Sequence, residues 1–256
     1  MRRDEALAIA ALPTTTGHLD GRCGLCGAAS GFLYDAASPE LREGLPCAHC
    51  HCNARQRAAA MLLCAAVRGN ARVYATEQAS PLFVALRRRL SGLRGSEYVP
   101  GLRRRVSLSL WLLRQGLRSW VRHRDVTALE FGDASLDAIV SLDVLEHVAD
   151  AQRALREFAR VLSPGGTLVL TVPFYDDRDA SAVIATLRDD GSIAHIGERE
   201  FHGDPIRDRG VACFHHFAWD MLDAMRAAGF ADAAVCRVQD ARCGLPQGQW
   251  VLRAVR

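Results

Sequence analysis

Two pairs of cysteines near the N-terminus have the spacing of a metal site. Cys23 and Cys26 form one C-x-x-C pair, and Cys47 and Cys50 form a second pair after twenty intervening residues. Two such pairs can direct four thiolates to one tetrahedral Zn²⁺ at bond lengths of about 2.3 Å. Because four thiolates leave no open coordination position, we expect a structural Zn²⁺ rather than a catalytic one.

The cysteine-rich segment is predicted to be a small zinc-knuckle module, residues 21–57, that follows an N-terminal tail, residues 1–20. A module of this size buries too little apolar surface to fold unaided, so the metal would supply its folding free energy. His49, His51 and Cys52 remain alternatives to Cys50 as the fourth ligand. The arginines of the module are not interleaved with aromatic residues, so nucleic acid is not expected as a partner.

Acidic residues follow short apolar runs in the rest of the chain. Glu97 lies at the end of a short predicted strand, 95–98, and Asp143 closes the run 137–142. The carboxyl ends of parallel strands meet at one edge of a sheet, where ligands bind. In adenosine-binding sheets an acid at this edge accepts hydrogen bonds from the two ribose hydroxyls, which is the role predicted for Glu97.

A β-α-β unit at residues 124–174 would position these acids. Its strands, 137–142 and 167–172, are nearly continuous apolar runs, which indicates burial on both faces of a parallel sheet. An amphipathic helix and a Ser-Pro-Gly-Gly turn lie between them. The pattern also predicts strands at 71–75, 233–238 and 249–254, a helix at 53–67 capped by Asn53, and a helix at 219–228.

The stretch DVTALEFGDASLDAIVSLDVLEHVADAQRALREFARVLSPGGTLVLTVPF resembles class I S-adenosylmethionine-dependent methyltransferases of the type that methylates quinones and other small molecules. The similarity extends over about residues 70–256. It implies an α/β fold with a doubly wound, mostly parallel, seven-stranded sheet of the Rossmann-like kind, here within a domain at residues 58–256. It also implies S-adenosylmethionine as the cofactor, in addition to the structural Zn²⁺.

The resemblance assigns cofactor-binding roles to residues at the strand ends. Thr76, Glu77 and Gln78 stand where relatives have a glycine-rich loop, and they would face the methionine end of the cofactor. Glu97 would bind the ribose. Asp125 would accept from the adenine amino group beside the Val126 N–H, and Asp143 would lie where the methyl group is presented.

Histidines supply the candidates for a general base. His147 follows the strand that ends at Asp143, and His202 and His215 lie in a histidine-rich stretch, residues 189–216. A neutral imidazole near pH 7 can take a proton from an attacking hydroxyl or amine. The alternatives are a lid whose imidazoles bond to backbone groups and a second metal site built from these histidines.

Residues 102–122 form an unusual basic insert in the predicted sheet domain. Eleven arginines and the single acid Glu97 lie between residues 82 and 124. Apolar residues at helical spacing and an adjacent row of arginines predict a basic amphipathic helix. It would pack on the sheet or on a neighbouring subunit, or it would contact an anionic membrane peripherally.

The sequence as a whole predicts a cytoplasmic, bacterial methyltransferase that acts by direct displacement on a small-molecule or lipid-linked acceptor. Nine cysteines in such a compartment favour metal binding over disulfides. No apolar run approaches the roughly 18 residues of a membrane span. The alternative is a non-catalytic, methyltransferase-like scaffold or regulatory binding protein with a structural zinc.

Overall fold

The computed structural model describes residues 3–37, 39–204 and 207–256. The helices are α1 (Arg3–Ala10), α2 (Ala54–Ala66), α3 (Pro81–Arg87), α4 (Leu102–Arg114), α5 (Ala151–Val161) and α6 (Met221–Ala227). The strands are β1 (Gly17–Leu19), β2 (Phe32–Tyr34), β3 (Val73–Ala75), β4 (Leu93–Gly95), β5 (Leu136–Leu142), β6 (Leu162–Thr171), β7 (Ala182–Val183), β8 (Ala185–Leu187), β9 (Ile193–His195), β10 (Phe201–Asp204), β11 (Arg207–Ala212), β12 (His215–His216), β13 (Asp232–Asp240) and β14 (Leu245–Val255). None of the described helices is long and apolar enough to cross a membrane.

The central sheet has six strands in the order β13-β14-β6-β5-β3-β4 within the described residues. Strands β6, β5, β3 and β4 run parallel, and β14 is antiparallel to both β6 and β13. The mostly parallel Rossmann-like sheet is confirmed. Because β3, β4 and β5 pair in parallel, their carboxyl ends lie at one edge of the sheet.

The prediction of seven strands is wrong for the described residues: the strand expected to end near Asp125 is not formed, and the segment before Asp125 makes a single parallel bridge, from His123 to Glu97. The side chain of Gln78 takes part of the place of a strand partner there. Its Oε1 accepts from the Arg122 N–H at 3.0 Å, and its Nε2 donates to the Trp120 carbonyl at 3.0 Å. These bonds satisfy backbone groups that a continuous ladder would otherwise pair.

Helix α2 begins where the sequence predicts. The side chain of Asn53 accepts from the Gln56 N–H, and the side chain of Gln56 accepts from the Asn53 N–H, which completes a capping box. Other boundaries differ from the predicted ones. The second parallel strand ends at Gly95, so Glu97 lies beyond it, and the Ser-Pro-Gly-Gly segment belongs to β6 rather than to a separate turn.

Two hydrophobic clusters cover the two faces of the central sheet. One face packs against α5 and α6, with Phe158 and Met225 fully buried. The other packs against α2 and α3, and the cysteines of the N-terminal segment belong to the same cluster as Val73 and Ala138. The cysteine segment therefore shares a core with one face of the sheet.

The basic insert is a shorter helix than predicted, since α4 ends at Arg114 and Gly116 follows with φ +82°. Its apolar residues are mostly directed away from the core. Leu112 is fully buried, whereas four others are exposed by 40% or more: Leu102, Val106, Leu110 and Leu113. The helix thus presents a row of apolar side chains beside its arginines.

Candidate functional site

The four predicted zinc ligands come together in the structure. The sulfur of Cys23 lies 3.8 Å from that of Cys50, and the sulfur of Cys26 lies 3.8 Å from that of Cys47. All four Sγ atoms are within 4.8 Å of one another. Cys52 is outside this group, and its Sγ is 3.7 Å from the Cys50 carbonyl. This geometry favours Cys50 as the fourth ligand and suits a tetrahedral ion.

A fully buried arginine, Arg57, joins the cysteine segment to the sheet. Its guanidinium donates to the carbonyls of Leu45 and Cys52 at 2.5 and 2.7 Å, and to the carbonyl of Gly244 at 2.7 Å. It also lies over the Phe32 ring, 4.4 Å from the centroid. The sequence places Arg57 only beside the cysteines, because no local pattern reveals a partner as distant as Gly244.

Asp143 lies at the end of β5 with φ +50°, a backbone conformation that is uncommon for a residue with a side chain. Arg42 donates two hydrogen bonds to its carboxylate, each 2.8 Å long, and Thr171 donates a third at 2.8 Å. The Nε of Arg55 is 3.2 Å from the same carboxylate. Arginines of the N-terminal segment therefore bind the carboxylate of Asp143, at the strand end where the methyl group was predicted to lie.

The charge balance around Asp143 keeps it ionised. Burial alone would raise the pKa of Asp143, but Arg55, Arg42 and Thr171 hold it below its usual value. Glu43 completes the network, because Arg55 donates to it at 2.6 Å. Neither arginine had a predicted role beyond flanking the cysteines, since their partner lies about a hundred residues away along the chain.

The loop at residues 76–80 is bonded to Glu97 through two backbone N–H groups. The N–H groups of Gln78 and Ala79 donate to Glu97 Oε1 at 2.7 and 2.6 Å. Thr76 is buried and donates to the Ser141 hydroxyl at 3.1 Å. The loop is therefore bound to Oε1 of Glu97, the carboxylate that was predicted to bind ribose.

Glu77 is the loop residue with an unpartnered side-chain oxygen among the described residues. Its Oε1 is buried and has no hydrogen-bond partner among the described residues. Burial raises the pKa of Glu77 to about 7, with Glu97 and Asp143 adding to the rise and Arg55 and Ser80 opposing it. A cation placed against this oxygen would give it a partner and would lower the pKa of Glu77.

Asp125 lies on the segment beside Glu97, which the bridge to His123 holds in place. Its Oδ1 accepts from the N–H and the hydroxyl of Thr127 at 2.8 and 2.7 Å, and Val126 is buried. Asp125 thus begins the tight turn that follows the irregular edge of the sheet. Its role at the adenine stays a prediction.

The predicted catalytic histidines separate into two groups. His147 and His202 lie together, with ring centroids 5.1 Å apart, next to the buried Glu146. His215 lies apart from them, and its Nε2 is 3.0 Å from the Val148 carbonyl. Because a carbonyl only accepts, Nε2 carries the proton and Nδ1 carries the lone pair, and burial lowers the pKa of His215. His215 is therefore neutral near pH 7.

A cavity of about 420 Å³ adjoins the Asp143 network. Arg42 lines it together with Phe174, Tyr175, Arg237 and Trp250. It lies beyond the end of β6, at the edge where the β5 end and Asp143 are found. A second cavity, of about 510 Å³, lies near Gln78 and is lined by Arg87, Arg94, Arg122 and Arg124.

Comparison with known proteins identifies the part of the chain that is similar to a known family. Residues 58–170 match the family model described as a methyltransferase domain. A Mycolicibacterium smegmatis protein named "Probable S-adenosylmethionine-dependent methyltransferase" is 30% identical over 121 residues, which cover 46% of this chain and 47% of that protein. The 27-O-demethylrifamycin SV methyltransferase of Amycolatopsis mediterranei is 28% identical over 141 residues, which cover 50% of this chain and 51% of that enzyme.

Solved structures share the arrangement of the sheet. A crystal structure of an S-adenosylmethionine-dependent methyltransferase from Mesorhizobium loti superposes with a TM-score of 0.51 and 19% identity, over 78% of this chain and 98% of that one. The chain spans about half the length of the two curated relatives named above. Residues 58–170 therefore carry the similarity to methyltransferase domains, and the chain has the fold of S-adenosylmethionine-dependent methyltransferases.

Proposed function

We propose that this protein transfers a methyl group from S-adenosylmethionine to a small-molecule or lipid-linked acceptor. The observation that carries the proposal is the methyltransferase domain at residues 58–170, whose sheet brings Glu77 and Glu97 together at one edge. The cytoplasm remains the predicted compartment. The rival, a non-catalytic scaffold, would bind no S-adenosylmethionine.

The residues at this edge fit the cofactor. The unpartnered Oε1 of Glu77 suits the ammonium group of the methionine end. Glu97 is assigned to the ribose, Asp125 and the Val126 N–H to adenine, and Thr76 and Gln78 to the loop that holds Glu77 in place. When bound, the cofactor supplies an electrophilic methyl group on a sulfonium, which becomes a neutral thioether once the methyl group has left.

The chain contributes positioning and removal of a proton. Arg42 lines the cavity and bonds to Asp143, and an acceptor held in this cavity is assigned to attack the methyl carbon in line. A bond forms between that atom and the methyl carbon as the carbon–sulfur bond breaks, and an acceptor hydroxyl or amine releases one proton. His215, neutral and with Nδ1 as its acceptor atom, is assigned to take that proton.

The cavity beside Asp143 indicates the class of acceptor. Its volume of about 420 Å³ falls in the range of small-molecule sites, and its lining combines the aromatic side chains of Phe174, Tyr175 and Trp250 with polar ones, among them Arg42 and Arg237. A base on a folded nucleic acid would need a longer basic groove around the pocket. The name of the relative that methylates 27-O-demethylrifamycin SV is consistent with this class.

Transfer of labelled methyl groups tests the acceptor class. The protein is incubated with S-adenosylmethionine carrying a tritiated methyl group and with the metabolite, lipid, nucleic-acid and protein fractions of a bacterial lysate. We expect label in the metabolite or lipid fraction and none with a His215→Ala, Asp143→Asn double variant. Label confined to nucleic acid or protein would contradict the assigned acceptor.

Cofactor affinity is expected to depend on pH through Glu77. The pKa of Glu77, about 7, lies above the ordinary carboxyl value. The contribution of Glu77 to the stability of the free protein is therefore fully present at low pH, where the carboxyl is neutral, and is lost as the pH rises through about 7. Pairing with an ammonium group needs the ionised form, so affinity for S-adenosylmethionine should rise from pH 5.5 to pH 7.5. Calorimetry at several pH values measures this rise. Glu77→Gln should bind more weakly and with little pH dependence, and an equal slope in both proteins would refute the role.

The exposed face of α4 is assigned to peripheral contact with an anionic membrane. It combines exposed Leu110 and Leu113 with arginines, the pattern of helices that lie in a membrane interface. Co-sedimentation should detect binding to phosphatidylglycerol vesicles and little binding to phosphatidylcholine vesicles. Leu110→Asp should reduce it severalfold, whereas Leu187→Asp, at an equally exposed position on β8, should not. Equal loss in both variants, or no binding at all, would exclude this contact.

A further inference from the structure

A second group of metal-binding side chains lies away from the cysteine module. The ligand atoms of His147, His202 and Cys213 are all within 4.8 Å of one another. Cys213 is buried, and its Sγ is 3.5 Å from Nδ1 and 3.3 Å from Nε2 of the His202 ring. Such separations approach the spacing of about 3.3–3.8 Å expected between ligands of one tetrahedral Zn²⁺.

A buried carboxylate is directed at the same point. Glu146 has no exposed surface, and among the described residues neither of its oxygens has a hydrogen-bond partner. Its Oε1 is 4.0 Å from Nε2 of His147 and 4.0 Å from Nδ1 of His202. A buried carboxyl without a partner is costly, and a cation at this point would compensate it.

In each of the two histidines, one ring nitrogen bonds to a protein oxygen and the other is directed toward the proposed metal position. Nδ1 of His147 lies 2.9 Å from the Ala212 carbonyl, which only accepts, so Nδ1 carries the proton and Nε2 carries the lone pair. Nε2 of His202 lies 2.9 Å from Glu200, which leaves Nδ1 of His202 to face Glu146. Metal-binding histidines characteristically donate the second ring N–H to a carbonyl or a carboxylate in this way.

We propose that Glu146, His147, His202 and Cys213 form a second metal site that binds Zn²⁺. Two imidazoles, one thiolate and one carboxylate are a borderline donor set that suits Zn²⁺ and gives it four ligands. The site stands on side-chain geometry and does not depend on the proposed methyl transfer. It gives His147 and His202 the role of ligands, while His215 keeps the role of proton acceptor.

The position of this site suits an ion that joins two segments of the chain. Glu146 and His147 lie in the short helical turn Leu145–His147 that comes after β5. His202 lies on β10, and Cys213 follows β11. The Phe214 N–H donates to the Glu146 carbonyl at 2.7 Å, so the two segments already touch. A bound ion would fasten the hairpin over the end of β5, next to Asp143.

Metal content of the full-length protein tests the site. The purified chain is loaded with Zn²⁺, desalted, and analysed for zinc per polypeptide. We expect two equivalents in the natural sequence and in His195→Ala, whose histidine lies in the same stretch but outside the cluster. His202→Ala and Cys213→Ser should each hold one equivalent. One equivalent in the natural sequence, or two in His202→Ala, would overturn the proposal.

Cobalt substitution provides a readout that does not depend on the stability of any one variant. Co²⁺ bound by a single thiolate and two imidazoles absorbs at shorter wavelength in the visible region than Co²⁺ bound by four thiolates. His202 is partly exposed, so His202→Ala should fold and should lose only the single-thiolate spectrum. An unchanged Co²⁺ spectrum in folded His202→Ala would show that this histidine holds no metal.

Discussion

Replacement of Cys47 by serine is expected to destabilise the protein more than any other single substitution in the N-terminal segment. Metal binding supplies about 10–16 kcal/mol of apparent free energy in small zinc-finger peptides, so the loss of a ligand removes a large part of the folding free energy of this module. Cys47 is fully buried and shares the hydrophobic cluster of Val73 and Ala138. The loss should therefore extend beyond the module to the adjoining face of the sheet.

Thermal unfolding followed by circular dichroism measures this effect, with and without a strong chelator. We expect the chelator to lower the melting temperature of the natural protein and to change that of Cys47→Ser little. Cys236→Ser is the matched control, because Cys236 lies on β13, outside the cluster. Equal melting temperatures for the natural protein and Cys47→Ser would show that the four thiolates hold no structural metal.

Replacement of Arg57 by alanine is expected to have the second largest effect. The substitution leaves the carbonyls of Leu45, Cys52 and Gly244 without their donor. A buried acceptor without a partner costs about 1–3 kcal/mol, so three of them should lower the free energy of unfolding by at least about 3 kcal/mol. The loss of contact with the Phe32 ring adds to this cost.

Urea denaturation measures the change in the free energy of unfolding. Arg68→Ala is the matched control, because Arg68 is exposed just beyond the same helix, and its loss should change stability by less than about 0.5 kcal/mol. Similar midpoints for the two variants would mean that Arg57 does not join the module to the sheet.

The parts of the fold with a local signature were predictable from the sequence. Asn53 precedes the helix it caps, and the apolar run that ends at Leu142 is a buried parallel strand. The four cysteines converge because their spacing reverses the chain around one point. In each case, residues close in sequence determine the structure.

The parts that depend on distant residues were not predictable in this way. Arg42 and Arg55 reach Asp143 across the fold, and no periodicity in either segment reveals the pairing. In the described part of the chain, the side chain of Gln78 bonds to the backbone of Trp120 and Arg122 where a strand was expected. Glu146 was recognisable only as the neighbour of His147, and its isolation from hydrogen-bond donors is a property of the folded chain.

Titration calorimetry with S-adenosylmethionine tests the central claim most directly. We expect one molecule to bind per chain with a dissociation constant in the micromolar range, and Asp125→Ala to abolish binding because adenine loses its acceptor. Asp133→Ala, an exposed acid away from the strand ends, should bind as the natural protein does. No heat of binding from the natural protein, in a sample shown to be folded, would contradict the enzymatic assignment and leave a methyltransferase-like scaffold.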